Sequence, residues 1–195
     1  MSTTTAFSTK PTLHGERATL RPFQESDLPL IRAALADPEV NRLTGSTHTS
    51  AVPPSVPEEP LRQWYSTRSD QDDRLDLMIE ERATGRWVGE VVLNEWDEGN
   101  EACGFRILVG PDGQNRGLGS EATRLIVDYA FEHLPLHRIE LEVYTFNPRA
   151  QQVYRKAGFV EEGRRRDALL YDGERIDAIL MAVLKTDWEA ARLSD

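Results

Sequence analysis

The amino-acid sequence predicts an α+β domain, a largely antiparallel central sheet of about seven strands flanked by helices. Three observations predict it. Apolar residues alternate through three successive strand-length runs, residues 74–81, 87–96 and 101–109, joined by short turns. A Gly-containing loop then opens a helix in which Leu118, Ala122, Leu125, Tyr129 and His133 recur at helical spacing. One more strand and helix follow, and then a pair of long runs around Asp172-Gly173 that read as a hairpin.

Taken in order, residues 1–11 are Ser/Thr-rich and aperiodic, which predicts a flexible N-terminus ahead of a single domain over residues 12–195. Residues 16–23 alternate, with Ala18, Leu20 and Pro22 opposed to Thr19, Arg21 and Phe23, giving a first strand. Ser26 and Asp27 are capping residues ahead of a stripe of Leu28, Ile31 and Leu35, and Pro29 falls in the tolerated first turn. A short amphipathic helix follows from that. Asp37-Pro38-Glu39 starts a second helical piece ending near Leu43. Residues 44–60 carry Pro53, Pro54, Pro57 and Pro60 among Ser, Thr and Glu, and resist regular structure. An irregular stretch of this length inside a domain is either a lid over a substrate or a plain connector. Leu61, Trp64, Tyr65 and Arg68 then fit a brief helix.

In the third strand Cys103, Phe105, Ile107 and Val109 share one face, so Cys103 reads as a small core residue. After the central helix, Leu134-Pro135 breaks the pattern and residues 138–145 alternate Ile139, Leu141 and Val143. Asn147-Pro148 supplies an N-cap and a first helical position; Ala150, Val153, Tyr154 and Ala157 form a stripe, and Gly158 stops the helix.

The length suits one sizeable core without staples. A single cysteine excludes an intramolecular disulfide framework, and no Cys/His spacing suits a metal. With no signal peptide and no long apolar run, the expectation is a cytoplasmic protein with no membrane partner. A net charge of −10 argues against nucleic acid as a partner and favours cationic acceptors, although acidity also serves solubility.

The loop around Gly117 and Gly119 is the chemically informative stretch. Free amides of a helix's first turn, backed by its dipole, favour phosphate, and glycine lets the backbone approach it. Gly117-Leu118-Gly119-Ser120-Glu121-Ala122 also satisfies a dinucleotide fingerprint, with Glu140 and Glu142 where a ribose-binding acid would sit. A nucleotide P-loop is excluded, since Ser120 follows Gly119 directly with no lysine between. A loop that merely turns a strand into a helix fits equally well in isolation. Three antiparallel strands before the loop fit a dinucleotide domain poorly.

Two segments together resemble the GNAT superfamily of acyl-CoA-dependent N-acyltransferases. Gln114-Asn115-Arg116-Gly117-Leu118-Gly119 is similar to its Gln/Arg-x-x-Gly-x-Gly/Ala pyrophosphate loop, with Leu118 where many relatives carry an aromatic residue. The run from Asn147 through Ala150 and Tyr154 to Gly158-Phe159 is similar to its Asn-x-x-Ala-x-x-x-Tyr-x-x-x-Gly-Phe segment. The opening ATLRPFQESDLPLI and the closing DAILMAVLKTDW resemble the ribosomal-protein N-terminal acetyltransferase (RimJ/RimL-like) branch, so the likeness spans nearly the whole chain.

The resemblance implies a GNAT fold whose sheet splays between the third and fourth long strands, with acetyl-CoA as cosubstrate and no metal. Backbone amides of residues 116–120 would hold the pyrophosphate, with Gln114, Asn115, Arg116, Gly117, Leu118, Gly119 and Ser120 as the binding loop. Ile107, Leu108 and Val109 would line the cofactor, with an N–H near Ile107 or Leu108 meeting the oxyanion. Tyr154 would protonate the leaving thiolate, a phenol being a neutral donor at pH 7. Asn147 would touch the pantetheine or a water, or act only as a cap. Glu90 and Glu101 are the candidate bases, each equally readable as a solvated strand residue. Arg164-Arg165-Arg166 reads as a solvated charge run, and no histidine has a partner spacing for a triad. The acceptor expected is a peptide or protein N-terminus; a small cationic amine or antibiotic is the alternative within the enzyme class. A non-catalytic acyl-CoA-binding protein is the alternative outside it. The assembly is left open to a homodimer.

Overall fold

A computed structural model describes residues 6–51 and 56–193 of the chain. Its strands are β1 (Leu13–His14), β2 (Ala18–Arg21), β3 (Leu75–Glu81), β4 (Arg86–Asp97), β5 (Ala102–Val109), β6 (Arg138–Tyr144), β7 (Val160–Tyr171) and β8 (Glu174–Leu184). They form one sheet in the order β1-β2-β3-β4-β5-β6-β8-β7. Every pairing is antiparallel except β5 with β6. The helices are α1 (Leu28–Leu35), α2 (Pro38–Thr44), α3 (Glu58–Ser66), α4 (Leu118–His133), α5 (Pro148–Lys156) and α6 (Lys185–Arg192).

The expected α+β class and helix-flanked sheet are present. The sheet has one more strand than expected, because the chain before Ala18 adds the short β1 against β2. The predicted first strand narrows to Ala18–Arg21, all four buried, since Pro22 cannot donate to a ladder.

Residues 1–5 of the expected flexible N-terminus lie outside the described residues; those that follow are tied down. Phe7 is fully buried and meets Trp96 edge-on at 5.5 Å. Lys10 donates to the carbonyls of Phe7, Gln71 and Arg74 at 2.9, 2.6 and 2.5 Å. One aromatic and one ammonium thus anchor what composition alone marks as loose.

Asp27 does not cap α1 through its side chain. Its carboxylate is chelated by Arg21 at 2.8 and 2.9 Å, the stronger charge-assisted partner. Asp37 does cap α2, accepting from the Val40 N–H at 2.9 Å. Pro53 and Pro54 lie outside the described residues. Helix α3 starts earlier than expected and takes Pro60 into its first turn, where no N–H is needed. The segment after α2 docks on the β7–β8 turn, with Asp172 N–H donating to His48 O at 3.0 Å and Ser50 N–H to Asp172 Oδ1 at 2.9 Å.

The buried face of α4 is rotated from the expected stripe: Ile126, Val127, Ala130 and Phe131 are in the core, whereas Leu125 and Tyr129 are half-buried and His133 is exposed. Helix α6 was not foreseen. Its Trp188 packs on Phe131 at 5.6 Å and donates to Asp128 at 2.6 Å, a contact remote in sequence.

Where β5 meets β6 the pairing lasts only from Ala102↔Arg138 to Gly104↔Glu140. Beyond Gly104 the two strands part, which agrees with the expected splay and opens a gap in the middle of the sheet.

Candidate active site

The gap leads into a cleft of about 660 Å³ lined from both faces of the sheet. On one side stand the Gly-rich loop and the starts of α4 and α5; on the other stand α2, α3 and the polar faces of β3, β4 and β5. The two sequence motifs, more than 20 residues apart, meet here.

The loop is built to present amides. Gly117 has φ +79°, a left-handed conformation that a Cβ would strain, and it opens α4 with no side-chain cap. Glu121 N–H is the first to bond within the helix, to Gly117 O at 3.0 Å. The N–H groups of Gly117, Leu118, Gly119 and Ser120 are therefore without an intrahelical acceptor, at the positive end of the dipole. A Cβ on Gly119 would stand 3.2 Å from Val109 Cγ2, so the loop lies close against β5. That concave row of amides fits a pyrophosphate group.

Side chains hold the loop in shape. Arg149, in the first turn of α5, donates to Asn115 Oδ1 at 2.9 Å and to Gln114 Oε1 at 3.1 Å. Gln114 in turn donates to Val109 O at 3.3 Å. The buried Glu121 carboxylate accepts from the N–H groups of Glu16, Arg17 and Ala18 at 2.7, 2.9 and 2.8 Å, locking α4 to the β1–β2 turn. Neither Arg149 nor Glu121 was singled out from sequence, because both act through contacts with distant backbone. Arg116 and Leu118 belong to the loop by backbone only: Arg116 pairs with Glu81, and Leu118 is 2% exposed in the core.

The opened edge of β5 supplies further amides. Gly110 N–H donates to Val88 O at 2.9 Å, and the register Glu90↔Leu108 fixes the alternation from there. Leu108 N–H is thereby spent on β4. The amides of Ile107 and Val109 face the gap instead, so Ile107 and not Leu108 offers the free donor.

Tyr154 lies on α5 with its ring edge-on to Phe105 at 5.8 Å and 6.0 Å from Phe159. It is 8% exposed, it lines the cleft, and no described residue hydrogen-bonds its hydroxyl. Burial raises its pKa, so the phenol keeps its proton. Asn147 caps α5 by accepting from Ala150 N–H at 3.1 Å and lines the cleft, and no described residue hydrogen-bonds its amide NH₂. Both readings of Asn147 are therefore compatible.

On the opposite wall Glu90 Oε2 accepts from the Tyr65 hydroxyl at 2.6 Å. Burial raises the Glu90 pKa; the Tyr65 hydrogen bond lowers it, Asp76 raises it, and Arg106 and Arg74 lower it. Glu101 is elsewhere. It sits in the turn before β5 at φ +51°, exposed, its carbonyl accepting from the N–H groups of His137 and Arg138. With seven residues of strand between it and the cleft end of β5, it is roughly 20 Å from the Glu90–Leu108 pair. At that distance Glu101 cannot act as a base for the cleft. Cys103 is 1% exposed and its thiol is pushed up to about 12 by burial, away from thiolate chemistry. The arginine run is exposed and partly paired, Arg164 with Asp177 at 3.3 Å and Arg165 with Glu142.

The arrangement joins a loop of amides without intrahelical acceptors, a strand amide facing the gap, a protonated phenol and a half-buried carboxylate around one cleft. No helix among the described residues is long and apolar enough to cross a membrane.

Comparison with known proteins agrees with this geometry. Residues 17–160 match the family model described as Acetyltransferase (GNAT) domain. A putative ribosomal N-acetyltransferase, YdaF of Bacillus subtilis, is 29% identical over 108 residues, 55% of this chain and 59% of that protein's length. A spermidine N(1)-acetyltransferase of Vibrio cholerae is 31% identical over 128 residues, 66% of this chain and 73% of the relative. In three dimensions the spermidine N-acetyltransferase of Vibrio cholerae, crystallised with CoA and spermine, superposes with a TM-score of 0.79 at 24% identity, covering 90% of this chain and 99% of that one. That last likeness establishes the shared fold.

Proposed function

The chain belongs to the GNAT acetyltransferase family, and from that premise we propose that it transfers the acetyl group of acetyl-CoA to a primary amine, by direct attack in a ternary complex. The observation that carries this reading is the meeting of the amide-rich loop and Tyr154 across a single cleft whose far wall holds Glu90. The acceptor we favour is a peptide N-terminus. The names of the relatives support amine acceptors in general, one ribosomal and one polyamine.

The loop from Gln114 to Ser120 receives the pyrophosphate on its free amides, and Arg149 keeps its shape. The thioester then lies along the opened edge of β5, where Ile107 N–H can stabilise the oxyanion. An amine is protonated at neutral pH, so a proton must leave before attack. Glu90 accepts it, directly or through one water; its raised pKa brings it nearer to that of an amine. The C–N bond forms, the nitrogen sheds its second proton to solvent, the C–S bond breaks, and Tyr154 gives its phenolic proton to the leaving thiolate. Solvent restores the phenol afterwards. Asn147, which lines the cleft, is the residue we assign to hydrogen-bond the pantetheine through its amide NH₂.

Free-thiol release from acetyl-CoA, followed over a panel of peptides, aminoglycosides and polyamines, tests the reading. Amine-dependent release with an N-acetyl product by mass spectrometry is the expected result. Tight acetyl-CoA binding with no amine-dependent release would favour a non-catalytic acyl-CoA-binding protein.

A further inference from the structure

The charge of the acceptor end of the cleft runs against the composition of the chain. The whole protein carries −10, yet the cleft is lined by Asp76, Glu90 and Glu142 against Arg74, Arg106, Arg149 and Lys156. Arg149 is engaged with the Gly-rich loop, through Asn115 and Gln114. The remaining charges near Glu90 can be followed one by one.

Asp76 is already neutralised, both of its oxygens being held by Arg74 at 2.6 and 2.8 Å. Glu90 is the other carboxylate of this wall, and it is half-buried behind the Tyr65 hydroxyl. Two arginines whose fields reach Glu90 have no acid paired with them among the described residues. Arg68 is 6% exposed, stacks on Trp64 at 3.5 Å, donates to Gln71 at 3.1 Å and leaves its buried Nε unpartnered. Arg106 is exposed into the cleft, on the same face of β5 as the Glu90–Leu108 pair. No described residue hydrogen-bonds or ion-pairs its guanidinium, although its field reaches Glu90 and Tyr65 through space.

A polyamine would bring a second and third cation to a wall that has no carboxylate to spare. Like charges placed close together in a partly desolvated cleft are costly. An amine that carries its own anion solves both needs, since the guanidinium offers a planar fork to a carboxylate. Resting on the amine-acetylation reading above, we propose that the acceptor bears a carboxylate close to its reacting amine and that Arg106 receives it. A free amino acid or a peptide with an acidic residue at its start presents that chemistry; Arg106 is then the specificity-determining residue.

The test compares kcat/KM for matched acceptors in the full-length protein at saturating acetyl-CoA. The pairs are an amino acid and its amide, an Asp-initiated and an Asn-initiated peptide amide, with spermidine alongside. The carboxylate-bearing member of at least one pair should lead by on the order of tenfold, and which pair does so tells the free amino acid from the peptide. Arg106→Gln should bring that ratio within about twofold of unity, and Arg106→Lys should restore part of it. Acetyl-CoA affinity and melting temperature, measured in both variants, separate this from misfolding. Equal ratios in the parent and Arg106→Gln, or spermidine as the preferred acceptor of the parent, would overturn the assignment while leaving acetyl transfer intact. Absence of amine-dependent thiol release with every acceptor would remove the transfer reading, and this inference with it.

Discussion

The hydroxyl of Tyr65 and the carboxylate of Glu90, 25 residues apart in sequence, are joined by a 2.6 Å hydrogen bond across the acceptor wall of the cleft. Helix α3 thus reaches over the sheet to hold the half-buried Glu90 carboxylate against the cleft. Tyr65 is itself a poor acid here, its pKa raised by burial first and then by Glu90, so the phenol keeps its proton and donates it into the bond.

That bond gives a pH prediction. If Glu90 is the base, kcat/KM is low where Glu90 is protonated and rises with pH through its ionisation, above the ordinary carboxylate range because burial raises it. The Tyr65 bond favours the charged form. Tyr65→Phe should therefore move the rising limb to higher pH, and Glu90→Gln should remove it. A profile that keeps the same limb in both variants would take Glu90 out of the mechanism.

Gly119→Val puts branched carbon into the loop where even a Cβ stands 3.2 Å from Val109. Acetyl-CoA affinity should fall about 10- to 100-fold, the loss of one or two hydrogen bonds to a charged group. Overpacking should cost about 1–3 kcal/mol of stability. Calorimetry reads the first and thermal melting the second; unchanged affinity would contradict the loop assignment.

Arg149→Ala removes both side-chain contacts that shape Gln114 and Asn115. KM for acetyl-CoA should rise by roughly three- to tenfold with kcat little changed. A fall in kcat at constant KM would instead place Arg149 at the reacting atoms.

Cys103→Ala should remain active, because the thiol is buried and held protonated. A loss of about 1 kcal/mol in stability is the expected cost of the small cavity. Acetylated Cys103 in a stalled reaction, found by mass spectrometry, would replace direct transfer with a covalent route.

The order of strands and helices was legible because each long element carries its own period and its own stop, as Asn147-Pro148 and Gly158 do for α5. That the loop and Tyr154 line one cleft was legible because both motifs are local in sequence. What was not legible depends on distant partners. Phe7 enters the core by meeting Trp96, and Asp27 gives up its cap for Arg21. Glu101 and Glu90 look alike as acids on adjacent strands, and only the β4–β5 register shows that one is in the cleft and the other in the far turn. The same register separates Ile107 from Leu108 as amide donors, a distinction of one residue that alternation alone decides.

Tyr154 is proposed to supply the proton that lets the thiolate leave, and Tyr154→Phe removes that proton alone. The ring contacts with Phe105 and Phe159 survive the change, and only the unpartnered hydroxyl is lost. Turnover under saturating substrates should fall by roughly 10²- to 10⁴-fold, with acetyl-CoA affinity and melting temperature close to those of the parent. Near-normal turnover with a lowered melting temperature would make Tyr154 a core residue and leave thiolate protonation to solvent.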